Sequence, residues 1–337
     1  PAEPWEFTDV TAAAGLAGLK KTYQACWADF DNDGDHDLVV VSPDKPYNGT
    51  YFFENTSGDK KFPIFKPGVR ISQGLQNVQV SYVNGKPRIL TPGREYNHFL
   101  KNGLETSVRI PLPADAGHKG KIRANLWKCV DYDGDGDLDA LVVQDSSQNP
   151  AVWLNDGDGT FLPTTQALDN SRGTDVALAD FDRDGDLDAL VTRSGAENLL
   201  WLNNGAGGFT ASTTQLGDTN TFSVAVGDVN GDGHLDLLLA NGNDRPNEVW
   251  LGDGTGGLID SGQKLGAATS FGVELGDLDG DGDLDAIVAN FRQANRVWIN
   301  DGAGVFSPAA EGLATADSRA VSLGDLDGDG DLDALVA

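Results

Sequence analysis

The sequence predicts an all-β chain, a seven-bladed β-propeller of four-stranded antiparallel blades, and three observations carry that expectation. A nine-residue pattern, D-x-[DN]-x-D-G-x-x-D, recurs along the chain at a nearly constant step. The residues between its copies fall into short apolar runs split by Gly, Asn and Asp, with no helical spacing of apolar side chains. A unit of about 48 residues suits a propeller blade rather than a helical repeat.

The pattern starts at Asp29, Asp131, Asp180, Asp228, Asp277 and Asp325, and from Asp131 onwards the steps are 49, 48, 49 and 48 residues. Between Asp29 and Asp131 lie 102 residues, two periods, so a degenerate unit is expected there. Tyr82-Val83-Asn84-Gly85-Lys86-Pro87 supplies it by aligning with Asp228-Val229-Asn230-Gly231-Asp232-Gly233. The count is then seven units, near 29, 82, 131, 180, 228, 277 and 325, in a single domain over 1–337. Lys86 replaces an acid and Pro87 replaces Gly in the second unit, so no ion is expected in that blade.

Within the Asp180 unit, residues 175–179 alternate and predict a first strand. The aspartate loop follows, then an apolar second strand at 189–192 and a third strand at 198–203. The hairpin Asn204-Gly205-Ala206-Gly207-Gly208 leads into a fourth strand at Phe209. The last unit stops at Ala337 after its second strand. Trp5-Glu6-Phe7-Thr8-Asp9-Val10 reads like a fourth strand and is expected to close the last blade in part. That leaves a third strand missing and an open ladder edge. Trimming is the preferred explanation, and a strand donated by another subunit is the alternative.

The residues around Gly227–Gly233 and Asn300–Phe306 resemble FG-GAP (VCBS-type) repeats. The resemblance covers nearly the whole chain, is strongest from the third unit to the seventh, and fades between Pro43 and Lys128. It implies the seven-bladed propeller of integrin α-subunits and of many bacterial extracellular proteins. A secreted or cell-surface protein that binds or adheres is the matching expectation.

The loops carry the chemistry. Calcium takes six to eight oxygens in flexible geometry. Side chains at loop positions 1, 3, 5 and 9 can converge on it with the backbone carbonyl of position 7, while Gly at position 6 permits the bend. The side-chain sets are Asp29, Asp31, Asp33 and Asp37; Asp131, Asp133, Asp135 and Asp139; and Asp180, Asp182, Asp184 and Asp188. They continue with Asp228, Asn230, Asp232 and Asp236; Asp277, Asp279, Asp281 and Asp285; and Asp325, Asp327, Asp329 and Asp333. The position-7 carbonyls belong to Asp35, Asp137, Asp186, His234, Asp283 and Asp331. About six structural Ca²⁺ ions follow. The loop departs from an EF-hand in having Val40, Val142 and Val191 at position 12 and strands on both sides. Zinc and copper lack His or Cys ligands here, and magnesium keeps more water and fewer carboxylates.

The formal charge of -28 is uneven. Residues 1–128 carry 16 Lys and Arg against 14 Asp and Glu, and residues 129–337 carry 8 against 38. An acidic surface disfavours nucleic acid as a partner. No apolar run is long enough to span a membrane as a helix. The chain begins at Pro1 and has no Met, as expected after removal of a signal peptide or after trimming of the sequence. Cys26 and Cys129 sit in non-neighbouring units and are expected as free thiols.

Three further patterns need weighing. Gly252-x-Gly254-x-x-Gly257 mimics a dinucleotide fingerprint but is followed by strand-like residues where a helix is required. Trp153, Trp201, Trp250 and Trp298 recur on third strands, which favours packing between blades over sugar-stacking platforms. Asn48-Gly49-Thr50 and Asn55-Thr56-Ser57 are glycosylation sequons. The irregular region from Pro43 to Lys128 is locally basic, with thirteen Lys and Arg between Lys45 and Arg123. It suits an anionic glycan or an acidic protein. Within it Tyr96, His98, His118 and Arg123 form a candidate proton-abstracting set, as in ulvan lyases, some of which are seven-bladed propellers. The preferred function is an extracellular, calcium-stabilised binding or adhesion module for a glycan or protein. A polysaccharide lyase and a self-assembling surface protein are the alternatives.

Overall fold

The computed structural model describes all residues except 1–6, 8, 20–21, 23, 29–34, 44–48, 57–62, 73–78, 84–85, 91–96, 100–105, 109–123, 136–138, 145–150, 156–160, 169–172, 218–219, 310–312, 314 and 328. The described residues form strands, turns and bends, with no helix among them. They divide into two compact units. One comprises Pro1–Arg109, Gly276–Gly282 and Ser318–Ala337, and the other Ile110–Leu275 and Asp283–Asp317.

Antiparallel four-stranded sheets of one design follow one another along the chain, each with its strands paired in chain order. Gln24–Ala28, Asp37–Ser42, Gly49–Phe53 and Val69–Ser72 make the first. Ala124–Val130, Asp139–Gln144, Ala151–Asn155 and Phe161–Ala167 make the next. Gly173–Ala179, Asp188–Arg193, Leu199–Asn203 and Phe209–Ala211 follow, then Thr221–Gly227, Asp236–Asn241, Arg245–Gly252 and Leu258–Ala268. The sheet of Ser270–Gly276, Asp285–Ala294, Arg296–Asn300 and Phe306–Pro308 gains a fifth strand, Thr315–Asp317, along the end of its long second strand. These are the blades of a β-propeller.

Register explains the constant loop length. The residue before loop position 1 pairs with position 9 in five repeats: Ala28 with Asp37, Val130 with Asp139, Ala179 with Asp188, Gly227 with Asp236, and Gly324 with Asp333. Second strands such as Asp188–Arg193 and Asp236–Asn241 are buried throughout. Both their faces are covered, which is why they read as continuous apolar runs rather than alternating ones. Ala189 and Val191 pack with Tyr132, Leu141 and Val152 of the preceding sheet. Leu190, pointing the other way, packs with Val224, Leu237 and Leu239 of the next. Each fully buried Leu contributes ~1.5–3 kcal/mol by leaving water.

The recurring tryptophans belong to this packing. Trp153, Trp250 and Trp298 are buried, and Trp250 and Trp298 lie in the clusters between their own sheet and the one before it. The glycine pattern at Gly252 leads into the strand Leu258–Ala268, not a helix. Cys26 is a free thiol that burial pushes up to about 12.

Three regions depart from expectation. The second unit forms two hairpins among the described residues, Gln79–Val83 with Lys86–Leu90 and Asn97–Phe99 with Thr106–Val108. Val83 pairs directly with Lys86, leaving two residues between the paired positions where Tyr82–Pro87 aligns with the start of a metal loop. Asn84-Gly85 is the favoured sequence for that connection. At the C-terminal end, Val321–Gly324 pairs with Asp333–Val336, and no further strand joins them among the described residues. The N-terminal strand expected to help close this blade is not among the described strands: Phe7, Asp9 and Val10 lie outside any strand, and Trp5, Glu6 and Thr8 lie outside the described residues. The third is the Asn55 sequon. Asn55 is fully buried, with its amide donating to His36 O at 3.1 Å and Leu326 O at 3.2 Å, so it is closed to glycosylation. Asn48 lies outside the described residues.

Candidate metal centres

Each described aspartate loop is a short excursion between strands one and two, shaped by its own side chains. The position-1 carboxylate accepts amides from across the loop. Asp180 Oδ1 takes Asp184 N at 3.1 Å and Asp180 Oδ2 takes Gly185 N at 3.1 Å. Asp228 and Asp325 repeat the arrangement at their own positions 5 and 6. Gly185, Gly233 and Gly330 at position 6 have φ of 99°, 84° and 95°, the left-handed region that favours Gly. Position 4 is left-handed as well, by Gly134, Gly231 and Gly280 and by Arg183 at φ 63°.

This folding brings carboxylates at positions 1, 3 and 9 together. In Asp131, Asp133 and Asp139, in Asp180, Asp182 and Asp188, and in Asp325, Asp327 and Asp333, ligand oxygens lie within 4.8 Å of one another. Two oxygens across one ion at calcium's ordinary bond length are separated by about that much. Asp133 Oδ1 is buried with no hydrogen-bond partner, a cost that a bound cation would remove. The donors are all oxygen, so the residues present fit a hard divalent cation. Burial, then the neighbouring carboxylates Asp184 and Asp180, raise the Asp182 carboxyl above its usual range. Asp327 is raised by burial and then by Asp333 and Asp329. Positive charge is what these groups lack.

The position-9 aspartate does more than its sequence assignment as a ligand. Asp188 is fully buried; its Oδ2 accepts Phe181 N at 2.8 Å and its Oδ1 accepts Asn203 N at 2.8 Å. Asp236 holds Val229 N and Gly252 N in the same way. Asp37 and Asp285 hold Asn55 N and Asn300 N at 2.8 Å. This one side chain ties the loop to the end of the third strand. Burial pushes the Asp188 carboxyl up to about 6 despite those hydrogen bonds.

The loop backbone also joins sheets. Asn203 Nδ2 donates to Tyr132 O at 3.1 Å, and Asn300 Nδ2 donates to Val229 O at 2.7 Å, each reaching position 2 of the preceding loop. Asn55 makes the equivalent bond to Leu326 O, so the last repeat receives the first as any repeat receives its successor.

Other predicted residues fall differently. The described position-5 carboxylates Asp135, Asp184, Asp232, Asp281 and Asp329 are exposed, and capping of position 7 recurs among them: Asp184 Oδ1 accepts Asp186 N at 3.0 Å and Asp329 Oδ1 accepts Asp331 N at 3.0 Å. Neither joins its loop's close carboxylate group. The side chains at position 7 turn to the hairpin glycines, where a Cβ on Gly205, Gly254 or Gly302 would lie 2.3 Å, 2.3 Å or 2.4 Å from Asp186, His234 or Asp283. In the Asp228 loop, Asn230 bonds Asp232 through both ends of its amide. In the Asp277 loop the unit boundary falls after Gly282. Before it, Asp277 accepts Gly280 N and Gly282 N, and Asp279 accepts Asp281 N. Asp29, Asp31, Asp33, Asp137, Tyr96, His118 and Arg123 lie outside the described residues, and of His98 only its strand is described.

Comparison with known proteins agrees with this architecture. Residues 131–191, 189–239, 228–288 and 277–336 match the FG-GAP-like repeat. No curated protein matches the chain. Among solved structures it is similar to BBS1N in complex with ARL6DN, at TM-score 0.64 and 13% identity, covering 95% of this chain and 91% of that one. It is also similar to a lectin of Agrocybe aegerita that specifically recognises non-reducing terminal N-acetylglucosamine. That likeness has TM-score 0.59 and 19% identity, over 96% of this chain and 88% of the lectin. At such identities the likeness establishes the fold.

Proposed function

The chain belongs to the FG-GAP-like repeat family, and on that premise we propose that it is an extracellular, calcium-stabilised β-propeller of seven repeats that binds a glycan or a protein partner. The observation that carries the calcium half is the carboxylate group at positions 1, 3 and 9, with Asp133 Oδ1 buried and unpartnered inside one such group. Calcium supplies the charge those oxygens require. Six ions would cut the formal charge from -28 to -16. Loops of this kind suit an environment with abundant free calcium, which favours a secreted or surface protein. The binding half is supported by the two similar folds, one holding a protein and the other a sugar.

Calcium titration of the melting temperature tests the first half. Each site filled at a hundred times its dissociation constant adds ~2.7 kcal/mol. Several sites together should raise the melting temperature by roughly 10 °C or more over the EGTA-treated protein. A melting curve indifferent to EGTA would overturn the structural-calcium reading. A glycan array and affinity capture from extracellular fluid, both with the calcium-loaded chain, test the second half. Retention of no glycan and no protein would overturn it.

A further inference from the structure

The end of the sheets opposite the aspartate loops carries a second set of features that the repeat does not require. There the turn between second and third strands is built alike in three consecutive repeats. The side-chain carbonyls of Asn198, Asn247 and Asn295 accept the amides of Arg193, Asn241 and Asn290 at 2.9, 2.9 and 2.7 Å. The residue at the equivalent left-handed position differs, lying in the connecting turn in the first two repeats and inside the long second strand, at a register shift, in the third. It is Gly195 at φ 80° in one repeat, Asn243 at φ 59° in the next and Arg292 at φ 58° in the third. Glycine occupies that conformation freely, and arginine does not.

Arg292 in this conformation lies over the Phe291 ring, 4.7 Å from its centroid. Phe291 meets Phe271 edge to face at 5.5 Å, and Phe271 meets Phe222 at 4.6 Å. Phe222, Phe271 and Phe291 are each half-buried residues. The guanidinium pairs only loosely with Asp317, at 3.7 Å with the two side chains 74% and 64% exposed, so its other donors remain open to a ligand. Asp244 Oδ1 accepts Thr269 Oγ1 at 3.0 Å and Gln293 Nε2 at 3.2 Å. Phe291 N donates to Thr269 O at 2.9 Å, which fixes the aromatic group to this polar one. Asp244 is also left-handed, at φ 56°, and its Oδ2 has no partner among the described residues.

We propose that Phe222, Phe271, Phe291, Arg292, Asp244 and Gln293 form a saccharide-binding site. Aromatic rings accept the C–H face of a pyranose, while a carboxylate, an amide and a guanidinium beside them exchange paired hydrogen bonds with adjacent hydroxyls. This inference rests on the glycan arm of the proposed function.

Saturation-transfer NMR on the calcium-loaded chain, with N-acetylglucosamine, glucose and mannose as probes, tests it alongside the glycan array. Two variants are expected to preserve the fold. Arg292→Gly substitutes the residue that the left-handed position prefers, and Asp244→Asn keeps an oxygen acceptor in a conformation Asn tolerates. At least one probe should receive saturation, and each variant should weaken its binding tenfold or more at an unchanged melting temperature. Glycan binding that both variants retain at full strength overturns this site and leaves the proposed function standing. No saturation transfer and no array signal from the wild type overturns this site and the glycan arm together, and affinity capture then decides the protein arm.

Discussion

The two ends of the same sheets are built on different rules. At the loop end, the residues that close each turn are nearly identical from repeat to repeat: position 1 caps amides, position 6 is glycine, and position 9 holds two buried backbone amides. At the turn end, the asparagine that braces the turn repeats, but the side chains presented to solvent do not. Repetition marks what every blade needs in order to fold. Departure from it, at Phe291 and Arg292, marks what one blade carries for another purpose. A variant at a repeated position should therefore cost stability, and one at a departing position should cost binding.

The largest difference is expected within a single loop. Asp188→Ala leaves Phe181 N and Asn203 N without their acceptor in a fully buried site. A cost of about 3–4 kcal/mol follows, read as a lower urea midpoint without calcium. Asp184→Ala, one loop position from Gly185 and exposed, should cost under ~0.5 kcal/mol under the same conditions. Equal effects from the two would break the distinction between the ligand rim and the loop's buried anchor.

Next in size is the bond between sheets. Asn300→Ala removes the donor to Val229 O and to Leu284 O. About 1–2 kcal/mol of stability should be lost. Asn204→Ala, on the exposed hairpin of another repeat, should change stability by less than half as much. Unfolding midpoints of the two variants check this.

Much of the loop end is legible in the amino-acid order alone. The period fixes the loops, the strands flanking them and the carboxylate positions, because turn residues and metal ligands are read from local spacing. The double duty of position 9 is not legible, since Asp188 acts on Asn203, fifteen residues away across two strands. The turn-end cluster escapes for a related reason. Phe222, Phe271 and Phe291 come from three segments, and only the 49-residue interval between the first two, one full period, hints that they share a place in neighbouring blades. Tyr82–Pro87 aligns with the metal loops in sequence, yet Val83 pairs with Lys86 there, because Asn-Gly followed by strand residues serves a tight hairpin as well as a metal loop.

The first strands carry departures too. Glu274 lies near Asp175 and Lys128, each on the first strand of a different sheet, and burial pushes its carboxyl from 4.5 up to about 7, with Asp175 adding to the shift and Lys128 opposing it. Asp175 is itself raised by burial while accepting Ser223 Oγ at 3.0 Å and Val224 N at 3.2 Å. Because Glu274 holds its proton in the folded state and releases it in the unfolded one, its contribution to stability falls as pH rises from about 4.5 through about 7. Glu274→Gln should therefore match the wild type at pH 4 and exceed it at pH 8 by about 1–2 kcal/mol, a discounted fraction of the full linkage. A difference independent of pH would show that the carboxyl titrates normally.

The smallest expected effect is the most telling for the comparison. Replacing Arg292 by Gly relieves a left-handed arginine, worth about 1–2 kcal/mol. It also removes the contact over Phe291, worth about 0.5–1 kcal/mol, and adds the roughly 0.5–1 kcal/mol entropy cost of glycine. The contributions nearly cancel, so Arg292→Gly should leave the urea midpoint unchanged within about 0.5 kcal/mol. A clear loss of stability would mean that the guanidinium braces the turn, and Arg292 would then belong with the repeated, structural positions. An unchanged midpoint leaves an arginine that the fold does not need, held in a conformation where Gly195 serves an earlier repeat equally well. Its use must then lie in what its exposed donors can reach.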